Sequence, residues 1–413
     1  MRFRAIISTG LPLAIVGVLL ASSPAMAKKK VPAGPVIAMS DTFRASVTQA
    51  QAALRAGDLA TAGARIGTLS PTNDFETYAV AGLRLELATK RRDAQAQRVA
   101  LTDLFKTSAV PKSDAPRLRY VAGYLSYVVG NYDDATAQLD YAKTLGYGGV
   151  DALLLRADIA LRRNKPKDAR VFVREALAQQ RASGQPVPIA WIDRAIAMAY
   201  QAGDWPEVGQ LYRERLAQAG GREEWRSALT NYLAAASVDT QLQLDLYRLQ
   251  AANGAMASER DYQAYAQLAD KSGYYAESKA IIEAGRKAGK LTATQPTTSA
   301  LLKAVTPKAT KEIAGMPAMA KKAAAAATGK EALAAGDGYA ALAQYPQAVE
   351  QYRIALTKGG VDAGRVNARL GVALARSGDL TGAQAALAQA DGAWASVAGF
   401  WSVWVDQQSR KAA

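Results

Sequence analysis

One phrase recurs along this chain at intervals close to 34 residues, and it limits the possible folds more than any other feature. Its clearest copy is Gly130-Asn131-Tyr132-Asp133-Asp134-Ala135. It returns as Gly57-Asp58-Leu59-Ala60-Thr61-Ala62, as Gly203-Asp204-Trp205-Pro206-Glu207-Val208 and as Gly378-Asp379-Leu380-Thr381-Gly382-Ala383. Looser copies begin at Asn164, Gly273 and Ala343. The residue that closes each copy falls at 62, 94, 135, 169, 208, 278, 348 and 383, and the two gaps of 70 residues each leave room for one degenerate copy. Self-similarity of this length marks stacked units, none of which buries its apolar face alone.

Each unit reads as two helices. A Gly or Asn suits the left-handed residue that ends the first helix. A short turn follows, sometimes with Pro where the second helix begins. The small residue closing the phrase lets the two helices approach closely. Four residues on stands a large apolar side chain: Ile66, Leu139, Val173, Tyr212, Ile282, Tyr352 and Leu387. In several copies Ala follows at seven, as at Ala142, Ala176, Ala355 and Ala390. That spacing is one face of a helix.

The pattern resembles the second half of a tetratricopeptide repeat. The family prefers a small residue twelve positions before the key Ala, and here that position holds Ala50, Gly82, Gly123, Ala157, Ala266, Gly336 and Gly371, with Ile196 less standard. The family's early Trp is absent, its closing Pro is mostly missing, and the copies near Ala94, Leu242 and Ser278 are poor. The resemblance implies an all-α protein, a right-handed α-solenoid of about nine or ten helix-turn-helix repeats. The expected organisation is a signal peptide at 1–27, a basic Pro/Gly leader at 28–40 and a repeat array at 41–290. A degenerate repeat or linker at 291–330 follows, then C-terminal repeats at 331–390 and an aromatic helix at 391–413. Pro296, Pro307 and Pro317 are expected to interrupt the pattern between 291 and 330, which makes a hinge possible there. In the tail, Trp394, Val397, Trp401 and Trp404 share a helical spacing, so that helix either caps the last repeat or docks a partner.

The N-terminus carries an address. Met-Arg-Phe-Arg precedes an apolar run from Ala5 to Ala21, and Ala25-Met26-Ala27 ends it, which is the layout of a secretory signal peptide. The run is short and interrupted for a span of about 20 apolar residues. The expected product is an exported protein of bacterial type, periplasmic in a Gram-negative cell. It is not a lipoprotein, because lipidation needs a cysteine.

Among 413 residues there is neither cysteine nor histidine. Ser-His-Asp and Cys-His nucleophiles are therefore ruled out, and so are disulfides and the usual zinc, haem and iron–sulfur ligand sets. Glu277-Ser278 resembles the Glu-Ser start of lytic transglycosylases, yet it lies where a repeat begins its second helix, and no other signature of that catalytic domain follows. No phosphate loop, dinucleotide fingerprint or Gly-x-Ser-x-Gly elbow is present. The chain is read as no enzyme, with no cofactor and no metal.

Formal charge is +15, and +13 once Arg2 and Arg4 leave with the signal peptide. A basic bias favours anionic partners, although the basic residues read as spread along the sequence in small clusters. In the tetratricopeptide family the first helices line a concave, ligand-contacting face. Carried over residue by residue, the resemblance places Tyr120, Tyr124 and Tyr127 on that face, with Asp158 and Arg162, Tyr200 and Arg55 from other copies. Tyrosines supply apolar area with a polar tip, as binding surfaces do; alternatively, one or two of these pack between adjacent repeats. The function expected is a protein-interaction scaffold of the cell envelope, holding a peptide segment or partner protein. The alternative is a binder of anionic polysaccharide or lipid, and nucleic acid is not expected.

Overall fold

A computed structural model describes residues 39–235 and 239–412. The expected signal peptide and most of the leader lie outside them. The described residues form helices and no strand. The chain divides into two compact units, the first ending at Pro186 and the second beginning at Val187.

Among the described residues the first unit holds four helix pairs: α1 (Asp41–Ala56) with α2 (Leu59–Gly67), α3 (Asp74–Arg91) with α4 (Ala94–Leu104), α5 (Ala115–Val128) with α6 (Tyr132–Thr144), and α7 (Val150–Arg162) with α8 (Pro166–Ala182). The second unit opens with α9 (Ile189–Gln201) and α10 (Trp205–Gln218), followed by α11 (Arg222–Ala235) and α12 (Thr240–Ala252). Next come α13 (Glu259–Lys271), α14 (Tyr275–Lys287) and the long α15 (Pro296–Ala325). The unit closes with α16 (Lys330–Ala341), α17 (Tyr345–Lys358), α18 (Ala363–Ser377), α19 (Leu380–Leu387) and α20 (Trp394–Ala412). Each unit is an α-solenoid of helical hairpins.

The recurring phrase is a joint with two working parts. Its first residue ends a helix in the left-handed region, with φ of 78° at Gly57, 81° at Gly130 and 96° at Gly378. Its second residue caps the next helix. Asp58 accepts from Thr61 N at 3.0 Å, Asn131 from Asp134 N at 3.2 Å, and Asp379 from Gly382 N at 2.8 Å. Such a cap contributes about 1 kcal/mol. The small residue closing the phrase is fully buried at Ala62, Ala135, Ala169, Val208, Ser278, Ala348 and Ala383, while Ala94, in a poor copy, is half-buried. The large residue four positions on is buried in every one of these seven copies.

That large residue lies against the small residue of the preceding helix. A Cβ added to Gly371 would stand 2.5 Å from Leu387 Cγ, and one added to Gly336 would stand 2.7 Å from the Tyr352 ring. The spacing of twelve residues before the key Ala therefore has a steric cause. At these two copies no larger side chain fits between the helices at that level.

Between 291 and 330 the structure departs from expectation. One helix, α15, runs through Pro307 and Pro317 and packs on α14 and α16. Two observations explain its continuity. Both prolines lie on the exposed side, so the Lys303 and Ile313 carbonyls left without a donor face water. On the opposite side Thr298, Val305, Ala309, Met316 and Ala323 form one buried stripe. The division of the chain falls instead at residue 186.

The aromatic tail helix does more than cover the last repeat. α20 packs on α18 and α19, and also on α10 and α12 at the other end of the same unit. Phe400, Trp401 and Val405 are fully or almost fully buried. Gln407 accepts from Trp225 Nε1 at 2.9 Å and donates to the Leu216 carbonyl at 2.8 Å. The second unit is thus clasped by its own last helix, whose aromatic face is not free to dock a partner.

Candidate functional site

The sequence singles out seven residues, and the structure brings four of them together in the first unit. Tyr124 and Tyr127 are half-buried on α5. Asp158 and the exposed Arg162 stand on α7, the first helix of the following pair. Arg162 stands beside the Tyr127 hydroxyl, and its interaction with that phenol, more than with Tyr132 or Asp158, holds its guanidinium above the ordinary value. Burial raises the Tyr124 phenol, and Tyr127 adds to the shift. The Tyr132 ring lies 6.0 Å from that of Tyr127. The helix ends around this group leave apolar side chains in water: Val128 is 50% exposed, Val129 39% and Leu161 43%.

Tyr120 does not belong to this face. Only 4% of it is exposed, and its ring stacks on Tyr147 at 4.8 Å. Tyr147 in turn donates to Asp151 Oδ2 at 2.6 Å, so this pair of rings fills the seam between the α5–α6 and α7–α8 hairpins. Burial drives the Tyr120 phenol well above its ordinary range. A residue one turn deeper on the same helix face has become filling between repeats. Arg55 is exposed at the end of α1, which packs on α2 and α3. Tyr200 belongs to the second unit, where it is 43% exposed and meets Trp205 edge-on at 5.2 Å.

Sequence reasoning missed the most charged place in the molecule. In the second unit three arginines and three carboxylates meet in a buried hub. Arg248 donates from Nε and Nη2 to the two oxygens of Glu277 at 2.8 and 2.7 Å, and from Nη1 to Asp245 at 2.7 Å. Arg369, 3% exposed, donates from Nε to Asp245 at 3.1 Å and places Nη1 2.5 Å from Asp337. Arg365 donates to Asp337 at 2.7 Å. Tyr265 and Tyr352 donate their hydroxyls to Glu277 and Asp337 at 2.7 and 2.9 Å, and Trp401 Nε1 donates to the Asp245 carbonyl at 3.3 Å.

Helices α12, α13, α14, α16, α17, α18 and α20 all contribute to this hub. Its charges balance. Glu277 and Ser278, which look like a catalytic start in the sequence, are both engaged in packing: Ser278 donates to the Ala266 carbonyl at 2.8 Å. A cavity of about 210 Å³ opens beside the hub, walled partly by Ala251, Ala280, Ala340 and Val372, with Tyr345 and Arg376 among its polar lining. The available signal was a lone charge inside a run of small residues, as in Gly336-Asp337-Gly338 and Ala368-Arg369-Leu370. No group of potential metal ligands occurs among the described residues.

No protein-family model matches this chain, and neither does any curated protein. Solved structures give partial likenesses. The TPR2AB domain of yeast Sti1 in its pHSP90 complex is 14% identical, covering 73% of this chain and 99% of its own, with a TM-score of 0.25. The Naa15/Naa10 structure bound to HypK-THB is 14% identical over 89% of this chain and 59% of its own, at 0.29. For pilF of Pseudomonas aeruginosa the figures are 14%, 72%, 99% and 0.22. The repeat architecture of this chain is read from its own helix pairs.

Proposed function

We propose that this chain is a non-catalytic protein-interaction scaffold of the tetratricopeptide-repeat type. Its N-terminal address suits export, and we place its work in the bacterial cell envelope, most simply the periplasm. The observation that carries the reading is the face where α5 meets α7. There Tyr127 of one repeat meets Arg162 of the next, and Val128, Val129 and Leu161 stay exposed around them. Exposed apolar side chains grouped around aromatic and arginine anchors are the composition of a protein-binding patch.

The partner we infer is an extended segment of another protein. It would set an apolar side chain against Tyr127 and Leu161 and a carboxylate against Arg162. Neither catalytic chemistry nor a cofactor is needed for this.

The test compares capture of envelope proteins by the parent chain and by a Tyr124→Ala, Tyr127→Ala double variant, with Tyr120 left in place so that the seam stays filled. Loss of two such anchors is expected to weaken capture by about 30-fold, the effect of about 2 kcal/mol at an interface centre. Equal capture by a folded double variant would remove this face from the reading.

A further inference from the structure

The basic charge of this protein is not spread evenly, contrary to the sequence-level impression. Residues 271–330 carry ten of the chain's 21 lysines and one arginine against three glutamates, a net +8 out of +15. The three acids all have partners. Glu277 is held by Arg248, Glu283 pairs with Lys279 at 3.6 Å, and Glu312 accepts from Ala276 N at 2.8 Å. Elsewhere arginine outnumbers lysine, 29 to 11, and several arginines form ion pairs, Arg156, Arg215 and Arg226 among them.

Five of these lysines lie on α15. Lys303, Lys308, Lys311, Lys321 and Lys322 are all exposed, on the side away from the buried stripe of Val305, Ala309, Met316 and Ala323. They extend over about 28 Å at 1.5 Å per residue. None of the five forms an ion pair among the described residues; Lys308 rests over the Tyr275 ring at 4.6 Å. Glu312 is the only acid on the helix, half-buried and committed to the α14 backbone. Between the lysines the exposed positions are small or stiff: Ala304, Thr306, Pro307, Thr310, Ala314, Pro317 and Ala318. Two large apolar side chains, Ile313 at 51% exposure and Met319 at 38%, flank the buried stripe on either side.

We propose that the exposed face of α15 docks on an anionic lipid surface. Two features select a bilayer over a dissolved polyanion. The cations are all lysines, point charges that suit a diffuse field of headgroups, whereas planar recognition of single phosphates or carboxylates uses arginine. The face is long and low, so its charges reach a flat surface together. The inference concerns the second unit and does not depend on the α5–α7 face of the first.

The purified full chain is mixed with vesicles of phosphatidylcholine alone and with vesicles containing about one third phosphatidylglycerol, and binding is read by sedimentation. The parent is expected to bind the anionic vesicles at least about tenfold more strongly, with binding that falls as salt rises. A variant with all five α15 lysines changed to Gln is expected to lose at least about tenfold while keeping its helicity, since Gln matches Lys in helix propensity. Equal binding by the parent and the five-Gln variant overturns the proposal, whatever other segment then holds the vesicles. Release of the parent from vesicles by dissolved polyglutamate at matched charge overturns it in favour of a polymer partner.

Discussion

At the turn between α16 and α17, Ala343 takes a φ of 56°, where five other copies of the joint place glycine. A Cβ in that region costs about 1–2 kcal/mol, against the roughly 0.5–1 kcal/mol of extra chain entropy that glycine loses on folding. Ala343→Gly should therefore stabilise the protein by about 0.5–1 kcal/mol, seen as a higher urea midpoint with unchanged slope. A lower midpoint would mean that the turn is not strained. The tyrosines of α5 separate by depth in the same way. Tyr120→Ala empties the seam against Tyr147 and should cost about 3–5 kcal/mol, while Tyr127→Ala, at a half-exposed position, should cost about 1 kcal/mol. Denaturation of the two variants distinguishes a filler from a contact residue. A sequence places all three tyrosines on one helix face; how deep each sits depends on Tyr147, which comes from the turn after α6 and has no periodicity to announce it.

Among the elements, the helix pairs were legible because each joint writes three constraints into six residues: a left-handed stop, a cap and a small contact residue. α15 was not, because proline is read as a breaker while its tolerance depends on which side of the helix meets water. The hub was hidden for a related reason. The Asp245–Arg248 pair lies far along the chain from Asp337 and Arg369, and only packing shows that their charges cancel. Cutting one arginine from this group leaves buried carboxylates short of a partner. Arg369→Met should cost about 3–5 kcal/mol, measured by chemical denaturation. A cost near zero would mean that the hub admits water and does not hold α12 to α18.

At the scale of the molecule, the second unit is a closed arrangement whose last helix returns to its first ones, and its hub responds to acid. Burial alone would raise the Asp337 carboxyl, but Arg369, Arg365 and Tyr352 outweigh it and hold the group below its ordinary value. A depressed carboxylate contributes stability that is complete above the unfolded pKa, near 4, and is lost as pH falls through the lower folded value. The urea midpoint should therefore contain an Asp337-dependent part that is flat from neutral pH to about pH 5 and declines below about pH 4. An Asp337→Asn chain should start less stable at neutral pH and lose less on acidification. Equal acid slopes for the two would contradict this assignment.

The binding role rests on the α5–α7 face, and site-specific photo-cross-linking in cells addresses it most directly. A photoreactive residue is placed in turn at Val128, at Leu161 and, as a control, at the exposed Thr48 of α1. Adducts to the same identified protein from Val128 and Leu161, absent from Thr48 and lost when Tyr124 and Tyr127 are changed to Ala, are the expected result. Adducts that form equally from Thr48, or no protein adduct from either position on the face, would contradict a scaffold that binds its partner there.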